Sequence, residues 1–248
     1  MYKSLQLAIK DLEKHGHLVR IKEEMDPHLE IPEIQRRAFE QGAPAILFEK
    51  VKGTPFPALA NLYGSDERCK FLFRKTLAGV QGMVDAKVYG PASVFKNISK
   101  LPELLKCSLS ALPLPTRKGA VEWGETTIDQ LPWIRSWPMD GGAFITLPQV
   151  YSEDPTKPGW RYSNLGMYRV QLEGNDYKTN EEIGLHYQIH RGIGIHHTKA
   201  LEAGEELKVS IFVGGPPSHT FAAVMPLPED LPELAFAGAL AGHNFRYC

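Results

Sequence analysis

The sequence predicts an α+β fold, with a small α/β unit at the N-terminus followed by a second half built mostly of strands. Three observations carry this. Helix, strand, helix and strand signals alternate within the first 50 or so residues. A proline-dense stretch then separates two regions of different character. Beyond it, short β-branched or aromatic runs are bounded by Gly, Pro or Asn, with two helices inserted among them.

Ser4 can cap a helix whose apolar positions Leu5, Ala8, Ile9 and Leu12 fall at helical spacing, and Gly16 stops it. His17 to Lys22 alternates like a strand. Pro32 sits where a first helical turn tolerates it, opening Glu33 to Gln41 before Gly42. Ala45 to Val51 reads as a buried strand and Asn61 to Ser65 as a turn. Glu67 to Leu77 and Ala92 to Leu105 read as helices. Leu-Pro-Leu-Pro-Thr, between Ser108 and Arg117, reads as an extended linker, placing a boundary between domains 1–112 and 113–248.

In the second half, strands are predicted over Phe144 to Tyr151, Gly166 to Leu172, Leu207 to Val213 and His219 to Val224. Helices are predicted from Gly194 to Ala203 and from Pro232-Glu233 onward. The pattern suggests a barrel or sandwich packed beside the first domain.

Composition narrows the function. With 28 Lys+Arg against 29 Asp+Glu, no global field draws in nucleic acid or an anionic membrane. No run approaches the roughly 20 apolar residues of a membrane span. The start lacks the apolar core of a signal peptide. Three dispersed cysteines, Cys69, Cys107 and Cys248, fit neither a disulfide framework nor a four-cysteine zinc site. A cytoplasmic protein with reduced thiols is the expectation. The final residues, His243 to Cys248, look like a strand in progress.

Chemistry-bearing residues are densest from Ser163 to His197, where four of the nine histidines fall within twelve positions. A polar loop explains such a cluster as simply as a site does. His186 and His190 are four apart, but Gly184 and Gly192 argue against a long helix holding them, so a zinc hydrolase has little support. In Asn164-Leu-Gly-Met-Tyr-Arg169, strand alternation places Asn164, Gly166 and Tyr168 on one face. Leu165, Met167 and Arg169 fall on the other, where a buried arginine needs an anion. That anion is either a local acid such as Asp176 or Glu181, or a bound carboxylate or phosphate. Glu233 leads an apolar helix, where it either complements the dipole for about 0.3–1 kcal/mol or ligates a hard cation. Asn, Glu and His donors together suit Mn²⁺ or Mg²⁺ better than zinc. Val213 to Thr220, with Gly214-Gly215-Pro216-Pro217, reads as a rigid turn after a strand.

Several of these strings resemble the UbiD family of decarboxylases. They are Ser163 to Leu172, His190-Arg-Gly192, Leu227 to Gly238, Asp26 to Ile31, Gly42 to Glu49, Asn61-Leu-Tyr-Gly64 and Ile134 to Asp140. The Met167-Tyr168-Arg169 variant is most similar to the hydroxybenzoate-type members. The resemblance implies a prenylated FMN in a split β-barrel like that of flavin reductases, here truncated, behind the small α/β domain. It implies Asn164, His190 and Glu233 as ligands of Mn²⁺ (or Mg²⁺), with His186 the alternative to His190 and K⁺ a further candidate cation. Met167, Tyr168, Arg169, His186, Tyr187, Gln188, Arg191 and Gly192 match cofactor contacts, and Arg169 matches the catalytic arginine that faces the substrate carboxylate.

The implied reaction is reversible, non-oxidative decarboxylation of a small aromatic acid through a covalent cofactor adduct. A flavin prenyltransferase would supply the cofactor, and a homo-oligomer or partner subunit is expected. Family members are about twice this length, and the resemblance puts the proton-donating acids in the half with no counterpart here. A fragment or subunit that cannot turn over alone is therefore the expectation, with a non-catalytic flavin-binding module as the alternative.

Overall fold

The computed structural model describes residues 1–90, 101–227 and 231–248. Helix α1 (Leu5–Lys14) starts where expected: the Ser4 hydroxyl accepts the Leu7 N–H at 3.3 Å, and Ala8, Ile9 and Leu12 are buried. Strand β1 (Leu18–Met25), α2 (Glu30–Glu40) and β2 (Ala45–Val51) follow, with β1 and β2 parallel, as a helical crossover allows. A short β3 (Ala58–Ala60), not anticipated, adds antiparallel to β2.

The helix expected over Glu67 to Leu77 is two. α3 (Asp66–Phe73), capped by Ser65, ends before Thr76, and α4 (Leu77–Tyr89) begins after it. The helix expected from Ala92 lies outside the described residues as far as residue 100; α5 occupies Leu101–Ser110. The supposed linker holds β4 (Leu114–Pro115).

The second half is finer-grained than its sequence suggested. The predicted strand from Phe144 splits into β5 (Phe144–Ile145) and β6 (Gln149–Glu153), broken at Leu147, whose φ of 51° precedes Pro148. The next splits into β7 (Ser163–Gly166) and β8 (Arg169–Gln171), which belong to different sheets. β9 (Gly184–His186), α6 (Gly192–Ala203) and β10 (Val209–Phe212) come next.

The strand expected over His219 to Val224 is instead helix α7 (Pro217–Val224). Pro216 and Pro217 preset the dihedrals of a first turn and override the β-leaning Thr220, Phe221 and Val224. α8 (Glu233–Ala241) and β11 (Arg246–Tyr247) end the chain, and β11 pairs with β4.

Two antiparallel sheets, ordered β10-β6-β7 and β5-β8-β9, make up most of the second half. Their central residues Val150 and Val170 pack with Ile193 of α6. The fold is mixed α+β, and the pairings leave the two sheets separate. A larger core joins the halves, running from Ala8, Leu12 and Leu47 through Leu72 and Cys107 to Leu165, Leu234 and Phe236. At its centre α8 is buried from Leu234 to Ala241, as an all-apolar helix must be. Among the described residues no helix is long and apolar enough to cross a membrane.

Candidate functional site

β7, the start of α6 and the start of α8 converge. Glu233, the first residue of α8, turns its carboxylate to β7, where Oε2 accepts the Leu165 N–H at 3.2 Å. Burial raises the Glu233 carboxyl above the usual carboxylate range, against the pull of its backbone hydrogen bonds. No ion pair reaches it among the described residues.

One position back, the Asn164 carboxamide faces Tyr168: Nδ2 donates to the phenol oxygen at 3.1 Å, and that oxygen stands 3.3 Å from Oδ1. Burial raises the Tyr168 phenol too. A Cβ on Gly192 would come within 2.1 Å of Asn164 Oδ1, so only glycine lets α6 start this close. Arg191 gives that helix start no side-chain cap, and of the first-turn N–H groups that of Ile193 meets the Tyr168 hydroxyl.

Beside this junction lies a cleft of about 550 Å³ between β9 and α6. Tyr177, His186, Tyr187 and His197 wall it with rings, and Leu185, Ile189 and Leu201 fill between them. Tyr187 hydrogen-bonds His197 Nδ1 through its hydroxyl and meets Tyr168 edge-on, ring centres 6.4 Å apart. Beneath α6, His196 Nδ1 lies 2.9 Å from Ser152 Oγ, and burial lowers its pKa. Lys199 pairs with buried Asp154 at 2.5 Å; hydrogen bonds from Lys199 and Thr156 outweigh burial and hold that carboxyl well below its usual range.

The predicted residues therefore divide. Asn164, Tyr168, Gly192 and Glu233 come together, and His186 and Tyr187 line the adjoining cleft. Met167 is half-buried at the break between β7 and β8. Gln188, His190 and Arg191 are exposed on the turn leading into α6. His186 lies in a strand and His190 in that turn, so they form no helical pair. Among the described residues no three His, Cys, Asp or Glu side chains cluster as a metal site.

Arg169 departs from the burial that alternation suggested. Because the chain changes sheets at Met167-Tyr168, the arginine is exposed, its guanidinium 4.6 Å over the Phe144 ring. Neither Asp176 nor Glu181 pairs with it. His197 and Tyr177 were not singled out as site residues from sequence. The available signal was the helical spacing of Gly194, His197, Thr198 and Leu201, one face of α6.

The donors fit the groups that the resemblance implies. A half-buried carboxylate without a cationic partner among the described residues, beside a carboxamide, suits a hard cation. Uncapped amides of a twelve-residue helix suit a phosphate. The aromatic cleft suits a planar ring. The arrangement is that of a mixed α+β protein in which one strand and two helix starts meet beside an aromatic cleft.

Residues 109–248 match the 3-octaprenyl-4-hydroxybenzoate carboxy-lyase Rift-related domain, and residues 9–87 match the N-terminal domain of the same lyases. The chain belongs to the UbiD family and corresponds to the N-terminal half of its full-length members.

It is 39% identical over 253 residues to an uncharacterized protein of Aquifex aeolicus, covering 96% of this chain and 49% of that one. It is also 39% identical over 234 residues to a 4-hydroxybenzoate decarboxylase subunit of Chlamydia pneumoniae, covering 93% and 38%. The closed form of the Sedimentibacter hydroxybenzoicus vanillic acid decarboxylase superposes with a TM-score of 0.80 at 24% identity, covering 99% of this chain and 50% of that one. The UbiD-class enzyme HmfF of Pelotomaculum thermopropionicum in complex with FMN gives 0.74 at 22% identity, covering 98% and 49%. The chain thus spans about half the length, or less, of the relatives it matches.

Proposed function

We propose that this chain is the cation- and flavin-recognising part of a carboxy-lyase acting on a hydroxybenzoate-type aromatic acid. The convergence of Glu233, Asn164 and the α6 N-terminus carries the reading. In it, Asn164 and Glu233 hold Mn²⁺ (or Mg²⁺), with His190 on the adjoining turn as the third candidate donor. The first amides of α6, with Arg191 beside them, take the phosphate of prenylated FMN. His186 and Tyr187 flank its ring, and Arg169 orients the substrate carboxylate through two parallel N–H donors. The prenylated flavin, when bound, supplies the electron sink for loss of carbon dioxide, and the protein supplies placement and field.

Release of carbon dioxide needs, on this reading, the half of the family's length that has no counterpart here. Exposed apolar side chains such as Trp123 and Met139 (94% exposed) favour a chain that completes itself against a partner subunit or a second copy.

The test is to co-express the chain with a flavin prenyltransferase, titrate Mn²⁺ in the presence of FMN, and measure carbon dioxide release with and without the family's C-terminal half. Cation binding by the chain alone, with turnover only in the mixture, is expected. Efficient turnover by the chain alone, or no cation binding, would overturn the reading.

A further inference from the structure

We propose that Tyr168 is a positioning residue for the cation, fixing the carboxamide of Asn164, and that the absent side chain of Gly166 makes this possible. The proposal rests on reading Asn164 and Glu233 as the cation's ligands. Residues 164, 166 and 168 follow one another at every second position, so an extended chain puts them on one face. At the middle position a Cβ would lie 2.5 Å from Cε2, Cζ and the hydroxyl of Tyr168. The ring therefore folds back over the glycine, and its hydroxyl reaches the carboxamide, 3.1 Å from Nδ2 and 3.3 Å from Oδ1. On its other side Asn164 Oδ1 abuts Gly192, the first residue of α6.

A carboxamide otherwise turns easily about its last torsion, because sp³–sp² torsions have broad wells. Held between a phenol and a helix start, this one is fixed before any ligand arrives. The hydroxyl reaches both ends of the carboxamide, donating to Oδ1 and accepting from Nδ2, so it holds the amide plane while the second lone pair of Oδ1 remains for the cation. Glu233 is held from the neighbouring backbone N–H of Leu165, so the two ligands are set by separate devices on consecutive residues. The phenol is half-buried and needs no contact with the cation to act.

The test is Mn²⁺ titration of the chain in the presence of FMN, followed by loss of the free-ion paramagnetic resonance signal. Tyr168→Phe keeps the ring and removes only the hydroxyl, and is expected to weaken Mn²⁺ binding about 10- to 100-fold, the usual cost of losing a ligand's supporting hydrogen bond. In an Asn164→Ala background the same change should shift the remaining affinity by less than about twofold, since the residue it positions is gone. Gly166→Ala should mimic Tyr168→Phe; should it fail to fold, the Tyr168 pair of measurements stands alone.

Wild-type affinity in Tyr168→Phe, or an equal loss with and without Asn164, overturns the proposal. Wild-type affinity in both Asn164→Ala and Glu233→Gln overturns instead the reading of the site on which it rests.

Discussion

Across the β8–β9 ladder Arg169 stands directly opposite His186, and Phe144 lies beside both, with the guanidinium 4.6 Å above its ring and the imidazole edge-on at 6.5 Å. An exposed arginine on an aromatic ring, with no acid to satisfy it among the described residues, is available to a carboxylate from solution. Arg169→Gln should lower the affinity for 4-hydroxybenzoate by at least tenfold in the cofactor-loaded chain, read by titration calorimetry. As an exposed position it should change stability by no more than about 0.5 kcal/mol. Unfolding at a much lower urea concentration would show a structural role instead.

Glu233 makes the opposite prediction about stability. Burial raises its folded pKa above the unfolded value, so the folded state binds the proton more tightly. Its contribution is most favourable below the unfolded pKa and is lost as pH rises through the folded one. Glu233→Gln, which keeps an acceptor for the Leu165 N–H, should therefore stabilise the metal-free chain at neutral pH by on the order of 1 kcal/mol, read as a higher melting temperature. Saturating Mn²⁺ should reverse the order, because a ligand at a hundred times its Kd adds about 2.7 kcal/mol to the wild type alone.

Gly192 leaves no room for a methyl group against Asn164 Oδ1. Gly192→Ala should cost roughly 1–3 kcal/mol of stability through overpacking and weaken Mn²⁺ binding along with it. The pair of measurements, chemical unfolding and cation titration, separates it from Tyr168→Phe, which should affect the second and largely spare the first.

His219 sets an acid limit. Burial, then the neighbouring His243, pushes its pKa down to about 4, and the ring stacks on Phe245 at 4.5 Å. A histidine held neutral in the fold contributes stability that is fully present above the unfolded pKa near 6.5, and that stability falls away as pH drops toward 4. A loss of roughly 2–3 kcal/mol across that window is expected. His219→Phe, which keeps the stack, should flatten the profile between pH 6.5 and 4; an unchanged slope would place the acid sensitivity elsewhere.

What was legible in the sequence follows the reach of the signals. α1, α2 and β2 are written in local chemistry, in the hydroxyl of Ser4, the stops at Gly16 and Gly42, and the apolar spacing between them. α7 was misread because Thr220, Phe221 and Val224 favour strands, while the decisive cue, two prolines presetting a first turn, lies just outside the run. The two-residue pairing of β4 with β11 spans some 130 positions and has no local trace.

At the site, alternation gathered Asn164 and Gly166 because both lie in β7, and Tyr168 joins them because its ring folds back over Gly166 from beyond the strand's end. It failed for Arg169, because the chain leaves one sheet for another two residues earlier. The hydrogen bond from Leu165 to Glu233 joins residues 68 apart through a helix docked by its apolar faces, which no local pattern records.

The docking of α8 links the chemistry to parts of the molecule that never touch it. Its far end is held by the N-terminal half: Thr76 donates to the Leu240 carbonyl at 2.8 Å, and Gly238 lies against the Ser110 carbonyl with no space for a side chain. A shift of α4 or α5 along that helix would slide the carboxylate at its leading end away from Asn164. Thr76 and Ser110, at the ends of α4 and α5, thus act as an anchorage that sets the reach of one proposed ligand, and substitutions there can impair ion capture while leaving every coordinating atom in place.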